Sequence, residues 1–176
     1  SYGTGGIFRL VDSYLYDEPS VLIPRKGTLS NLFYVEGKFW TVDTLFWTKI
    51  KKTVVFPKFL YYLLLTISLE EMNVGSAVPS LTTALLNEIT IKLPEMTNQK
   101  AIANILSSLD DKIELNNKIN QNLEELAQTL YKRWFVDFEF PNDNGDPYKS
   151  SGGEMVESEL GLIPKGWEVK KLNDFV

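Results

Sequence analysis

The stretch from Thr97 to Phe135 constrains this chain more than any other. Ile102, Leu106, Leu109, Ile113, Asn116, Ile119, Leu123, Leu126, Leu130 and Trp134 follow one another at steps of 4, 3, 4, 3, 3, 4, 3, 4 and 4. That alternation belongs to a helix burying one stripe. A helix over 97–135 would run for roughly 57 Å at ~1.5 Å per residue, more than a small sheet needs to cover it. Thr97 or Asn98 can cap its start. Asn116 falls on the stripe, with Asn117, Asn120 and Asn122 nearby. A polar seam residue weakens a coiled coil but fixes its register and partner. The spacing therefore predicts a pairing arm. The plainer reading, a helix laid along its own domain, stays open.

The residues before the arm read as β-rich and then helical. Leu15–Tyr16, Val21–Leu22–Ile23, 32–35, 39–42 and 45–50 are short β-branched or aromatic runs. Turn signals separate them at Asp17–Glu18–Pro19, Pro24–Arg25–Lys26–Gly27 and Glu36–Gly37–Lys38, which predicts a compact antiparallel sheet. Pro57 opens a buried helix expected to end near Asn73. A loop over 74–80 follows, then a short helix or turn in TTALLNEI, then a strand in ITIKLP ending at Pro94. Beyond Phe140 the polar, Gly- and Pro-rich composition reads as a linker. WEVKKL (167–172) then alternates like a first strand, as though another domain were beginning.

The chain contains no cysteine and no histidine. That removes disulfides, thiolate nucleophiles, the Ser-His-Asp arrangement and His- or Cys-ligated metal sites. Asp and Glu remain as acid/base or oxygen-ligand groups, but their spacing suggests no metal cage. The lack of cysteine suits a reducing cytoplasm. The opening SYGTGG has no secretory pattern and no initiator Met. The run FLYYLLLTISL is too short to span a bilayer, so a cytoplasmic chain without a membrane segment is expected. The formal charge of −5 is unevenly spread. Residues 1–94 hold nine basic against eight acidic side chains, and residues 95–176 nine against fifteen. A polyanion would meet the first part and protein the second.

Two tempting motifs fail. Gly3-Thr4-Gly5-Gly6 lacks the third glycine and preceding strand of a dinucleotide loop. Asp146-Pro147-Tyr148 lacks the second proline of the amino-methyltransferase signature and reads as a turn. What remains is binding chemistry: at the turn Arg25-Lys26-Gly27-Thr28, backbone amides, two cations and a hydroxyl can converge on phosphate.

Residues 93–138, LPEMTNQKAIANILSSLDDKIELNNKINQNLEELAQTLYKRWFVDF, strongly resemble the central region of type I restriction–modification specificity subunits. The Leu-Pro before the helix, Gln99, the ILSSLDDKIELNN stretch and the WFVDF end carry the likeness. Residues 2–8, 14–19, Ile23 to Gly27 and Phe39 to Asp43 resemble the later part of a target-recognition domain. Leu160 to Trp167 resembles the entry to the next. Asn98 departs from the family, which commonly has Glu there, and the opening of the first recognition domain is missing.

The resemblance implies an α+β chain. Its parts would be a target-recognition domain over 1–96, a conserved spacer helix over 97–138, a linker over 139–159 and a second recognition-like segment with a strand over 160–176. It implies a non-catalytic subunit that reads half of a bipartite double-stranded DNA site, scaffolds modification subunits and joins restriction subunits in the full complex. No cofactor is expected in this chain, and S-adenosylmethionine belongs to the modification subunit. The chain looks like half a subunit, so a two-fold homodimer through antiparallel helices is expected. Its interface would hold Leu109, Ile113, Asn116, Ile119, Leu123, Leu126, Leu130 and Trp167, with residues 163–172 docked on the partner. Half-sites would lie at most about 17 base pairs apart. DNA-contact residues vary within the family, so they are chosen on chemistry. Arg25 and Lys26 would hold phosphate, and Thr4, Arg9, Thr28, Ser30, Asn31, Thr41 and Ser76 would contact phosphate or base edges. The rivals are a coiled-coil scaffold without DNA specificity and, less well supported, a DNA-modifying enzyme.

Overall fold

Strand β4 (Ser20–Pro24) organises the first of two structural units, Ser1–Asp111. All five of its residues are buried. Successive strand side chains point to opposite faces, so SVLIP feeds two cores. Val21 and Ile23 pack with Leu29, Leu32, Leu64, Leu69 and Leu81. Leu22 packs on the other side with Val35, Phe39 and Leu45. Each such side chain is stabilised by about 1.5–3 kcal/mol on burial. The computed structural model describes residues 1–75 and 77–175.

Antiparallel neighbours flank β4 on both edges, β5 (Phe33–Val35) and β7 (Leu45–Trp47), with Val21 opposite Tyr34 and Ile23 opposite Phe46. At its start, Ser20 Oγ donates to the Thr48 carbonyl at 2.9 Å and accepts from Thr48 N–H at 3.0 Å. Thr48 Oγ1 accepts from Val21 N–H at 2.9 Å. These bonds satisfy a buried polar end, as burial requires. Two further ladders, β1 (Tyr2–Gly3) with β2 (Gly6–Ile7) and β3 (Tyr16–Asp17) with β6 (Lys38–Phe39), complete the sheet region. The sequence pattern predicts no strand before Leu15, so the first hairpin is a finding of the structure. Gly6, at φ +106°, supplies the backbone conformation that its tight return needs.

Helix α1 (Pro57–Leu65) starts on its proline as expected but stops eight residues before Asn73. Thr66 Oγ1 donates to the Leu63 carbonyl at 2.7 Å, and such local bonding competes with helix continuation. The chain re-forms as a 3-10 turn over Leu69–Met72, which places Leu69 in the core. Helix α2 (Thr83–Asn87) matches TTALLNEI and is capped by Thr82 Oγ1, accepting from Leu85 N–H at 3.3 Å. Residues 89–94 form no strand. The sheet stops at β5 and β7, and ITIKLP adds to neither outer strand. Ile89 covers the core instead, and the Pro94 carbonyl accepts a side-chain bond from Gln99.

Helix α3 (Met96–Tyr131) continues through a π-helical turn over Lys132–Val136. It begins one residue before the expected cap. Together, segregated strands and helices make the fold α+β, as the sequence predicts. No described helix is long and apolar enough to cross a membrane.

The second unit, Lys112–Val176, holds the rest of α3 and one hairpin. Phe138, at φ +60°, reverses the chain after the helix. Phe140 then stacks between Tyr148 (4.7 Å) and Trp167 (5.7 Å). The stretch read as a linker is not wholly irregular. Its β8 (Met155–Ser158) pairs with β9 (Gly161–Pro164). WEVKKL is not a strand, and a 3-10 turn follows at Leu172–Asp174. Its Trp167 is held by aromatic packing rather than by a ladder.

Candidate nucleic-acid interface

The loop after β4 is braced from two sides. Arg25 N–H donates to the Thr44 carbonyl at 2.8 Å, and the Arg25 carbonyl accepts from Leu81 N–H at 2.9 Å. Gly27 N–H donates to the Pro79 carbonyl at 3.0 Å. Gly27 sits at φ +91°, and a Cβ there would stand 3.5 Å from Thr4 Oγ1. Asn31 Nδ2 donates to the Thr4 carbonyl at 3.1 Å. The β1–β2 turn and the 25–31 loop are thus locked together, so Thr4, Gly27 and Asn31 form one surface.

This bracing uses mainly backbone and leaves side chains outward. Arg25, Lys26, Thr28, Ser30 and Asn31 are exposed, whereas Leu29 between them is buried in the core. A buried leucine flanked by exposed polar residues pins the loop while keeping its donors in solvent. Arg25 lies over the Phe46 ring at 5.9 Å, and its Nη1 donates to the Asp43 carbonyl at 3.4 Å. That contact orients the guanidinium without neutralising it. Thr41 sits at an isolated bridge with Tyr2, which ties it to the same hairpin. Arg9 is exposed past β2, lies over Phe8 at 5.6 Å and is not drawn into the loop cluster. Ser76 lies outside the described residues.

Sequence reading missed the neighbours that shape this surface. Asn73 Oδ1 accepts from Gly75 N–H and Ser80 N–H, both at 2.8 Å. This positions residues 79–81 alongside 25–27. The Asn-x-Gly spacing was the available signal, because Asn side chains close local turns. An open cleft of about 430 Å³ lies beside the loop, lined by Gly27, Thr28, Leu29, Glu70, Asn73 and Pro79. Cations, hydroxyls and amides on a braced loop suit phosphate and base-edge contacts. Among the described residues no group of three or more acidic side chains could hold a metal ion.

The start of α3 is fastened to the same unit by a face distinct from the leucine stripe. Ala103 is fully buried against Val55 and Phe59. Gln99 accepts from Phe56 N–H at 2.8 Å and donates to the Pro94 and Val54 carbonyls at 2.8 and 3.3 Å. Tyr62 OH donates to Asp110 Oδ2 at 2.5 Å. Burial and then this bond push the Tyr62 phenol up to about 12. At ~100° per residue, Leu109 and Ile113 stand about 120° and 80° round the helix from Ala103. Leu109, Ile113, Ile119, Leu123, Leu126 and Leu130 are all exposed, and so is Asn116. Trp167 packs on aromatics of its own chain.

Comparison with known proteins places these features in context. Residues 2–125 match the type I restriction modification DNA specificity domain. The chain is 37% identical over 166 residues to the type I restriction enzyme MjaIX specificity subunit of Methanocaldococcus jannaschii, which covers 92% of this chain and 37% of that protein. It is 38% identical over 137 residues to the HindI specificity subunit of Haemophilus influenzae, covering 74% of this chain and 28% of that one. The EcoDI specificity subunit of Escherichia coli is 25% identical over 174 residues, covering 89% of this chain and 38% of that one. The chain therefore spans about a third of the length of these relatives.

Proposed function

The chain belongs to the type I restriction–modification DNA specificity family, and on that premise we propose that it reads one half of a bipartite double-stranded DNA site. The observation that carries this reading is the braced loop over 25–31, locked to Thr4, with its cations and hydroxyls facing solvent. Arg25 and Lys26 hold phosphate and fix position. Thr4, Thr28, Ser30 and Asn31, with Thr41 and Arg9 at the margin, are the candidates for reading base edges. The chain performs no chemistry itself. It works in the cytoplasm, where it scaffolds modification subunits that carry S-adenosylmethionine and admits restriction subunits to the complex.

The exposed stripe of α3 takes an antiparallel helix from a second copy, giving a two-fold homodimer. Two copies of one recognition surface then read an interrupted palindrome. Because residues 1–94 carry a balance near +1, few phosphates are neutralised and the chain alone binds weakly.

The test is selection of bound sequences from random duplexes, with modification subunit present. An interrupted palindrome whose half-site changes when residues 25–31 are exchanged is the expected outcome. Selectivity that ignores this exchange would leave only a scaffold.

A further inference from the structure

The exposed stripe of α3 carries more information than its apolarity. From Ile102 to Leu130 its steps run 4, 3, 4, 3 and then 3, 4, 3, 4. The order reverses at Asn116. An ordinary heptad seam alternates 3 and 4 throughout, and no residue on it is a centre of symmetry. Here Asn116 is one. Ile113 and Ile119 lie three residues either side, Leu109 and Leu123 seven, Leu106 and Leu126 ten, Ile102 and Leu130 fourteen. Residue type matches as well as spacing in the first three pairs, and the fourth pairs two branched aliphatics.

We propose that the second copy docks on α3 with the two-fold axis beside Asn116, so that facing residue numbers sum to 232. This deepens the homodimer reading above and rests on it. Each Asn116 side chain then meets its counterpart, and an amide both donates and accepts, so the pair satisfies itself. Ile113 faces the second copy's Ile119, and Leu109 faces its Leu123. Glu114 and Lys118 stand about 160° round the helix from Asn116, so they pair within one chain at 2.6 Å on the face away from the seam and take no part in setting the register. Sliding the helices so that the axis falls between Ile119 and Asn120 would put Asn116 against Leu123 and lose the match.

The register also sets a length. Ala103, which anchors each helix to its own unit, lies 13 residues from the axis. The two anchors then stand about 39 Å apart along the pair, or about 11 base-pair steps. Half-site spacing follows that scale rather than the whole helix length.

Because the chain has no cysteine, single substitutions report one contact each. Full-length Asn116→Cys should form a disulfide-linked dimer under mild oxidation at least tenfold faster than Ile119→Cys. In the proposed register residue 119 lies about 9 Å from its own copy along the axis, beyond disulfide reach. Mixing Ile113→Cys with Ile119→Cys protein should give a cross-linked heterodimer that neither forms alone. Faster self-linking of Ile119→Cys than of Asn116→Cys would overturn the register while leaving the homodimer standing. A cysteine-free chain that sediments as a monomer would instead remove the homodimer, and this register with it. Adding Asn116→Leu to Ile119→Cys should raise self-linking several-fold, as the polar pin is lost. An unchanged rate would deny Asn116 its part in setting the register.

Discussion

One helix is treated in two ways along its length. The first turns of α3 bury Gln99 and Ala103, a polar and a small residue, against their own unit. Farther on, Leu109 to Leu130 leave every branched aliphatic of the stripe exposed. Apolarity alone would have assigned these roles the other way round. A small residue lets the helix approach closely, and a Gln with three hydrogen bonds fixes its angle, so anchoring needs little apolar area. The leucines of the stripe make no part of that anchor and stay in solvent.

The comparison breaks most sharply at the stripe. Leu109→Lys with Leu123→Lys should weaken the dimer by about a thousandfold, roughly 4 kcal/mol at about 1 kcal/mol for each of the four half-exposed leucines of the pair. Sedimentation reads the mass, and urea unfolding of the Ser1–Asp111 region should barely change. If the double variant keeps its mass, the stripe packs elsewhere.

At the anchor the opposite is expected. Gln99→Leu leaves Phe56 N–H and two carbonyls without partners, and should cost about 3 kcal/mol of folding stability. Ala103→Leu overfills the same contact and should cost about 1–3 kcal/mol. Both losses are measured by denaturant titration, and self-association at the stripe should survive in whatever fraction remains folded.

A third change sharpens the contrast between bracing and contact. Arg25→Ala with Lys26→Ala removes side chains while keeping the backbone bonds that hold the loop. DNA affinity in the assembled complex should fall about tenfold or more, and the salt dependence should flatten by nearly 2 in log–log slope. The melting temperature should hold.

The smallest effect belongs to Tyr62. Its folded pKa of about 12 stands above the ordinary phenol value of 10.0. The stability it lends is therefore complete below pH 10 and is lost as pH rises toward 12. Tyr62→Phe should lower stability slightly at neutral pH and flatten the alkaline decline, followed by melting temperature against pH.

Much of this was legible in residues alone. The stripe of α3, the strand at Val21–Ile23 and the helix start at Pro57 are local patterns, and local patterns survive folding. ITIKLP shows where that stops. Its alternation is real, but a strand also needs a ladder, and residues 89–94 pair with neither outer strand of the sheet, β5 nor β7. Likewise Gly3-Thr4-Gly5-Gly6 could be rejected as a cofactor loop, yet its bond from Asn31 joins residues 27 positions apart.

Sequence by itself determined the α+β class, the absence of thiol and imidazole chemistry, and the self-complementary spacing about Asn116. Each of these depends on residue identity or on the fixed geometry of one element. Tertiary structure decided which face of α3 is spent on its own unit, because Gln99 finds its partners only when residues 54, 56 and 94 converge on it. It also decided that Thr4, Gly27 and Asn31 form one surface. Hydrogen bonds between distant segments depend on where the chain returns, and no periodicity records that.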